Sequence, residues 1–215
     1  MDEIFRLAPI NNIEFSASGG NEKTAFYISN SYFDQQGIVI ESYYKRLNTR
    51  LNLDHKINDK FKLGENISLT YSDNRRSLND NVYTGTVTNA IGASPLMPVY
   101  EDDGNYANFE DYQASWLSDN PVLSTKEIIP YTKNNRVLAS VFGEYQIAPA
   151  LKFRSTWSVD FTYLTDDLYF SPITTDAEAV GGKAINSAYS QRVWLGENIL
   201  SYDKYFSNKN ALNII

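Results

Sequence analysis

Residues 44–72 read YKRLNTRLNLDHKINDKFKLGENISLTYS. With a period of two, Leu47, Thr49, Leu51, Leu53, His55 and Ile57 fall on one face, and Arg46, Asn48, Arg50, Asn52, Asp54, Lys56 and Asn58 on the other. After Asn58-Asp59-Lys60 the alternation restarts, with Phe61, Leu63, Glu65, Ile67, Leu69 and Tyr71 opposed by Lys62, Gly64, Asn66, Ser68, Thr70 and Ser72. Residues that face one another across an antiparallel pair share a side of the sheet. The apolar sides coincide when Ile57 faces Phe61, Leu53 faces Glu65, Leu51 faces Ile67 and Leu47 faces Tyr71, which fixes a three-residue turn. Each arm carries roughly 12 to 14 alternating residues, against about five or six in an ordinary sheet and about nine to eleven to cross a bilayer. Length is therefore the informative property of this hairpin.

Working outward, strands are expected at about residues 11–18, 24–33, 44–57, 61–72, 136–147, 151–164, 189–202 and 211–215. Gly19-Gly20-Asn21 breaks the first, and Ala148-Pro149-Ala150 turns between the fifth and sixth, in a register pairing Tyr145 with Phe153 and Val141 with Trp157. A long loop spans 73–134, with a possible short helix at Thr86 to Ala93, and a second non-alternating segment spans Asp166 to Ser187. Connections alternate in length. Gly19 to Lys23, Asn58 to Lys60, Ala148 to Ala150 and Asp203 to Asn210 are short, while Asp34 to Tyr43, Asp73 to Asn134 and Asp166 to Ser187 are longer. In an up-and-down meander alternate connections share an end, so all short turns lie at one end of the sheet. Transmembrane β-barrels are built this way.

The aromatic positions agree. Phe61, Tyr145 and Phe153 sit near the short-turn end, and Tyr43, Tyr71 and Tyr163 near the other, as two interfacial girdles require. The fold expected is all-β: an antiparallel meander of about eight long strands within a larger transmembrane β-barrel. The competing reading is a soluble β-sandwich carbohydrate-binding module, with shorter strands in two packed sheets.

Composition excludes other classes. With 19 basic residues dispersed among 26 acidic ones, and a net charge of −7, no phosphate-binding groove is expected and hence no nucleic-acid partner. Zero cysteines remove thiolate chemistry, and no apolar run approaches the length of a transmembrane helix. The N-terminus MDEIFRLAPI has no basic region followed by an apolar one, so it does not read as a secretory signal.

Several stretches carry a family resemblance: DEIFRLAP, SGGNEKTAFYISNSYFDQQGI, YKRLNTRLNLDHKINDKFKLG and ASPLMPVYEDDGNY, of which SGGNEKT, the R-x-N-x-R-x-N-L-D run and ASPLMPVYEDDGNY are the most specific. They resemble the SusC/RagA family of TonB-linked outer-membrane proteins, the TonB-dependent receptors. The resemblance implies a piece of the barrel of an importer in the outer membrane of Bacteroidota-type bacteria. Such an importer takes up oligosaccharides or peptides with a SusD-like surface lipoprotein as lid, and is energised through TonB. It also implies that Met1 is an internal start, with the plug domain, the TonB-contacting segment and the signal peptide absent from residues 1–215.

Candidate sites follow from both readings. In the long loop, Tyr100, Asp102, Asp103, Asn105, Tyr106, Tyr112 and Trp116, with Phe109 among them, place stacking faces beside hydrogen-bonding groups, a combination suited to substrate or lid contact. Arg46, Asn48, Arg50, Asn52, Asn66, Arg154 and Asp160 are expected to face the lumen. His55 is the only histidine and lies on the apolar face, where a contact with Glu65 is expected and catalysis is not. Glu101-Asp102-Asp103-Gly104-Asn105 offers oxygens to calcium but lacks EF-hand spacing, so a solvated turn is the better reading. Lys23-Thr24 after Gly19-Gly20 lacks phosphate-loop spacing, and the adjacent pairs Asp166-Asp167 and Glu110-Asp111 lack the geometry of a glycosidase. No enzymatic activity, cofactor or metal is expected.

Overall fold

In the computed structural model the described residues are 3–78, 85–112, 119–207 and 210–215. Strands β1 (Ile10–Gly20), β2 (Thr24–Gln36), β3 (Tyr43–Lys56), β4 (Phe61–Arg75), β5 (Ile128–Ala148), β6 (Leu151–Phe170), β7 (Lys183–Ser207) and β8 (Asn210–Ile214) pair antiparallel, in sequence order, in one eight-stranded sheet. The second sheet required by the sandwich reading is not among them, and that reading is overturned.

The β3–β4 register is the one the alternation demands: Leu53 opposes Glu65, Leu51 opposes Ile67 and Leu47 opposes Tyr71. Tyr145 likewise opposes Phe153, and Val141 opposes Trp157, across β5–β6. The turn between those two strands differs from expectation. Ala148 already pairs with Leu151, and a register shift between Gln146 and Ala148 absorbs Ile147 as the extra residue of a bulge. The β7–β8 connection is also shorter than the eight residues expected, since Tyr205 pairs with Ala211 and Ser207 with Asn210. Strand extension shortens the long loop to residues 76–127 and the later connection to 171–182. Asp166 and Asp167 stay in strand because their carboxylates are satisfied across it, Asp166 by Arg76 and Thr132 and Asp167 by Asn186.

Two short turns share one device. The side-chain oxygen of Asn58 accepts from the amides of Lys60 and Phe61, both at 2.9 Å, and that of Asn21 accepts from the amides of Lys23 and Thr24, also at 2.9 Å. Such Asx geometry satisfies amides that the tight reversal would leave bare. Asn58→Ala is expected to lower stability by about 1 kcal/mol, and Asn58→Asp to preserve it, in denaturant unfolding of the detergent-solubilised protein.

Among the described residues neither face of the sheet has a covering layer. Ile13 (67% exposed), Phe15 (69%) and Trp157 (62%) lie on the apolar face with nothing packed over them. Apart from Phe142 on β5, the large buried apolar side chains gather instead at the long-connection end. Ile4, Val39 and Val122 form one cluster; Phe109, with Ala93 and Met97, forms a second; Ile128, Phe170 and Ala177 form a third. The long loop supplies helix α1 (Thr86–Gly92), close to the expected position, and an unexpected helix α2 (Pro121–Glu127). Helix α2 starts as physics prefers, with the Asn120 side chain accepting from the Val122 amide and Pro121 in the first turn.

Candidate functional site

At the long-connection end the loops are tied together by polar links of long sequence range. The Arg6 guanidinium donates to the carbonyls of Gly37 and Ser42 and to the Gln36 side chain, at 3.0–3.1 Å, and so clamps the N-terminal segment to the β2–β3 connection. Arg75 donates to Glu41 and to the Thr125 carbonyl, both at 3.0 Å, joining that connection to α2. The Asn120 amide donates to the carbonyls of Val99 and Ala107. Asp119 Oδ1 accepts from both the backbone amide (3.0 Å) and the hydroxyl (2.7 Å) of Thr175, tying the long loop to the 171–182 connection.

Asp119 is buried, its Oδ2 has no hydrogen-bond partner among the described residues, and burial holds its carboxyl above the ordinary aspartate range. A carboxyl whose folded pKa is raised gives its full stabilisation below the unfolded value and loses it as pH rises through the folded value. The loop junction is therefore expected to become more susceptible to limited proteolysis as pH rises through that range. Asp119→Asn, which keeps an oxygen for Thr175 without the charge, is expected to flatten the pH profile, and Asp119→Ala to open the junction at every pH.

Of the residues expected to contact substrate or lid, the structure gathers six around one small hairpin. Tyr100 and Tyr106 form a bridge with ring centroids 5.0 Å apart, and Lys126 donates to the Tyr100 hydroxyl at 3.1 Å. Between them, the Glu101 amide donates to the Asn105 carbonyl, the Gly104 amide donates to the Glu101 carbonyl, and Gly104 takes a positive φ of 85°. Asp103 accepts from the backbone amide and side chain of Asn105, which lowers its pKa. Tyr112 donates to Glu101 at 3.2 Å, and Asp102 is exposed at the tip. Burial, followed by the hydrogen bond with Tyr100, pushes Tyr106 up to about 12, while the ammonium of Lys126 lowers Tyr100. The acidic run is thus a turn. Among the described residues no group of three or more His, Cys, Asp or Glu side chains is placed to hold a metal ion. Phe109 is 1% exposed and packs with Ala93 and Met97, and Trp116 lies outside the described residues.

The second group of candidates shares one face of the sheet. Arg50 opposes Ser68, Asn52 opposes Asn66, Asp160 opposes Leu138 and Arg154 opposes Glu144, so the pairing carries Arg46, Asn48, Arg50, Asn52, Asn66, Arg154 and Asp160 onto the same side. Arg136 meets Asp160 through two nitrogens at 2.9 and 2.6 Å, Lys62 meets Asp54 at 3.2 Å, and Glu144 lies between Lys152 at 3.7 Å and Arg154 at 3.8 Å. Asn48 accepts from Ser68 and Thr70. His55 does not meet Glu65. Its Nδ1 lies 2.7 Å from the Thr24 hydroxyl, because β2 offers an oxygen directly opposite in the pairing whereas Glu65 is diagonal.

A single sheet of long strands, apolar and uncovered on one face and polar on the other, with short turns at one end and the long connections at the other, has the architecture of a transmembrane β-barrel wall. The comparisons narrow this class. The chain is 30% identical over its whole length to TonB-dependent receptor P26 of Formosa agariphila, and 31% identical over about half its length to TonB-dependent receptor SusC of Bacteroides thetaiotaomicron. Its fold follows the RagAB peptide transporter with a TM-score of 0.75 over 99% of the chain, at 21% sequence identity. No family model matches. The chain belongs with the TonB-dependent receptors. It spans 21% of the length of the P26 receptor and 24% of the RagAB chain.

Proposed function

We propose that these residues form part of the wall of an outer-membrane importer, with the apolar face against lipid, the polar face lining a plugged lumen and the long connections outside the cell. The carrying observation is the segregation of the faces. Large apolar side chains such as Phe15 and Trp157 stand uncovered on one side, while ion pairs and amides occupy the other along the same strands. In water that arrangement would expose a broad apolar surface, whereas in a bilayer the acyl chains cover it. The hairpin around Tyr100–Tyr106, with Asp102, Asp103, Asn105 and Tyr112, would meet substrate or a SusD-like surface lipoprotein. The solute would be an oligosaccharide or a peptide, and the energy would arrive through a TonB complex acting on other parts of the receptor.

An antibody raised against residues 102–112 tests this in fractionated cells. The expected result is a band several times heavier than 24.4 kDa in the outer-membrane fraction. A soluble band at that mass would overturn the importer.

A further inference from the structure

On β7 the polar face of the sheet turns apolar. The pairing sets Val193 opposite Asp160, Leu195 opposite Ser158 and Ile199 opposite Arg154, so these side chains share the face of the ion pairs. Tyr189 lies on the same parity, toward the long-connection end, and Gln191 and Glu197 are the polar members of the column. Followed across the sheet, one row of that face reads Asn52, Asn66, Ser140, Ser158 and then Leu195, and another reads Lys56, Lys62, Glu144, Arg154 and then Ile199. The change falls at one strand. From Tyr189 to Ile199 the column runs about 34 Å along β7. Val193 is 48% exposed and Leu195 54%, and no buried cluster among the described residues includes Tyr189, Val193, Leu195 or Ile199. The other side of the same stretch is apolar as well, with Trp194 opposite Val159 and Leu200 opposite Phe153.

We propose that this column on β7 is the seat of the receptor's own lumen-filling polypeptide, a packed protein contact and not a wetted wall; it rests on the reading that one face of the sheet meets lipid and the other a plugged lumen. A strand that is apolar on both sides is a strand covered on both sides. Acyl chains supply the cover at Trp194 and Leu200. The second cover lies inside the barrel, where lipid does not reach, and contiguous apolar surface facing an aqueous space marks a contact with protein. A solute in transit has to let go again, which a long apolar strip opposes, whereas a resident element of the receptor stays in place. Receptors of this kind have chain enough for the role, since residues 1–215 amount to 21% of the P26 receptor and 24% of the RagAB chain. The chemistry of the occupant follows from the column. It presents apolar side chains to Val193, Leu195 and Ile199, which stand at steps of about 7 Å for each alternate residue, and a hydrogen-bond donor level with Glu197.

The test is photo-crosslinking in cells that carry the full-length receptor, with p-benzoylphenylalanine replacing Leu195 on the inner side or Trp194 on the outer side, and peptide mass spectrometry of the products. Val193 serves as a second inner position if the replacement at Leu195 is not assembled. From the inner position the expected product joins β7 to a peptide of the same receptor that lies outside residues 1–215. From Trp194 the expected products are lipid adducts. Crosslinks from the inner position to residues 76–127 or 171–182 would overturn the proposal in favour of the long connections as the cover. Crosslinks to solute alone, or to no receptor peptide, would overturn it in favour of a wetted wall. A protein crosslink in place of lipid at Trp194 would defeat the lipid-facing wall separately, and the product from the inner position would still decide whether the column has a protein cover.

Discussion

Gly64→Val is expected to abolish or severely reduce folded receptor in the outer membrane. A Cβ at Gly64 would stand 2.2 Å from Cε1 and 2.4 Å from Cζ of Phe142, and 2.6 Å from an Asp54 carboxylate oxygen. The ring has no room to retreat. Phe142 is 6% exposed on the face that carries the ion pairs, and it is covered there by Arg154, whose guanidinium carbon is 3.8 Å from the ring centroid, and by Lys62 at 5.7 Å. The glycine on β4 is thus the seat of an aromatic ring from β5, which in turn carries the cations that pair with Glu144 and Asp54. Overpacking of this kind costs about 1–3 kcal/mol, and displacing the cations from their carboxylates adds to it. Urea unfolding in detergent would measure the loss. Gly143→Val, where the new Cβ meets only the Phe61 ring at 3.5 Å, is expected to change stability little. Phe142→Ala in the Gly64→Val background is expected to recover part of the loss, because it removes the clash.

A charge placed at mid-strand is expected to separate the two faces by a comparable margin. Ile67 on β4 lies opposite Leu51 and Ala139 on the apolar side, and its neighbour Ser68 lies opposite Arg50 and Leu138 on the polar side. Arginine at a lipid-facing position near the middle of the bilayer costs about 2–4 kcal/mol. Ile67→Arg should therefore deplete the protein from the outer membrane, and Ser68→Arg should be assembled at near-normal levels. Equal tolerance of both would mean that the apolar face does not meet lipid.

The β3–β4 hairpin was legible residue by residue because one side of each arm is consistently apolar, and a slip of one position would turn Leu51 and Ile67 to the wrong face. β7 was foreshortened for the converse reason. Ile185, Val193 and Leu195 occur on one parity and Trp194 and Leu200 on the other, so alternation gives no boundary; pairing with the whole of β6 sets the strand from Lys183 to Tyr202, and pairing with β8 carries it to Ser207. Asp166-Asp167 read as a break because its partners Arg76, Thr132 and Asn186 lie at least 19 residues away. Of the loop site, the Tyr100–Tyr106 turn was visible in its Asp-Asp-Gly-Asn run. Helix α2 carried a readable start at Asn120-Pro121, but its seven residues are too few for a periodic pattern. The clamps made by Arg6, Arg75 and Asp119 join segments that alternation cannot relate, and no local signal announces them.

The alternation of short and long connections also divides the labour of chain entropy. Each hairpin closed by a short turn brings its strands together over a few residues, so its register is set locally, as Asn21 and Asn58 show. The β4–β5 pairing instead closes across residues 76–127, and the cost of closing a flexible loop grows only with the logarithm of its length, about 0.6 kcal/mol for each doubling. A loop of that size can gain or lose many residues for a small change in closure free energy, while the facing of Ile67 against Ala139 holds the register beneath it. The long connections and the sheet beneath them can therefore diverge at different rates on the same chain.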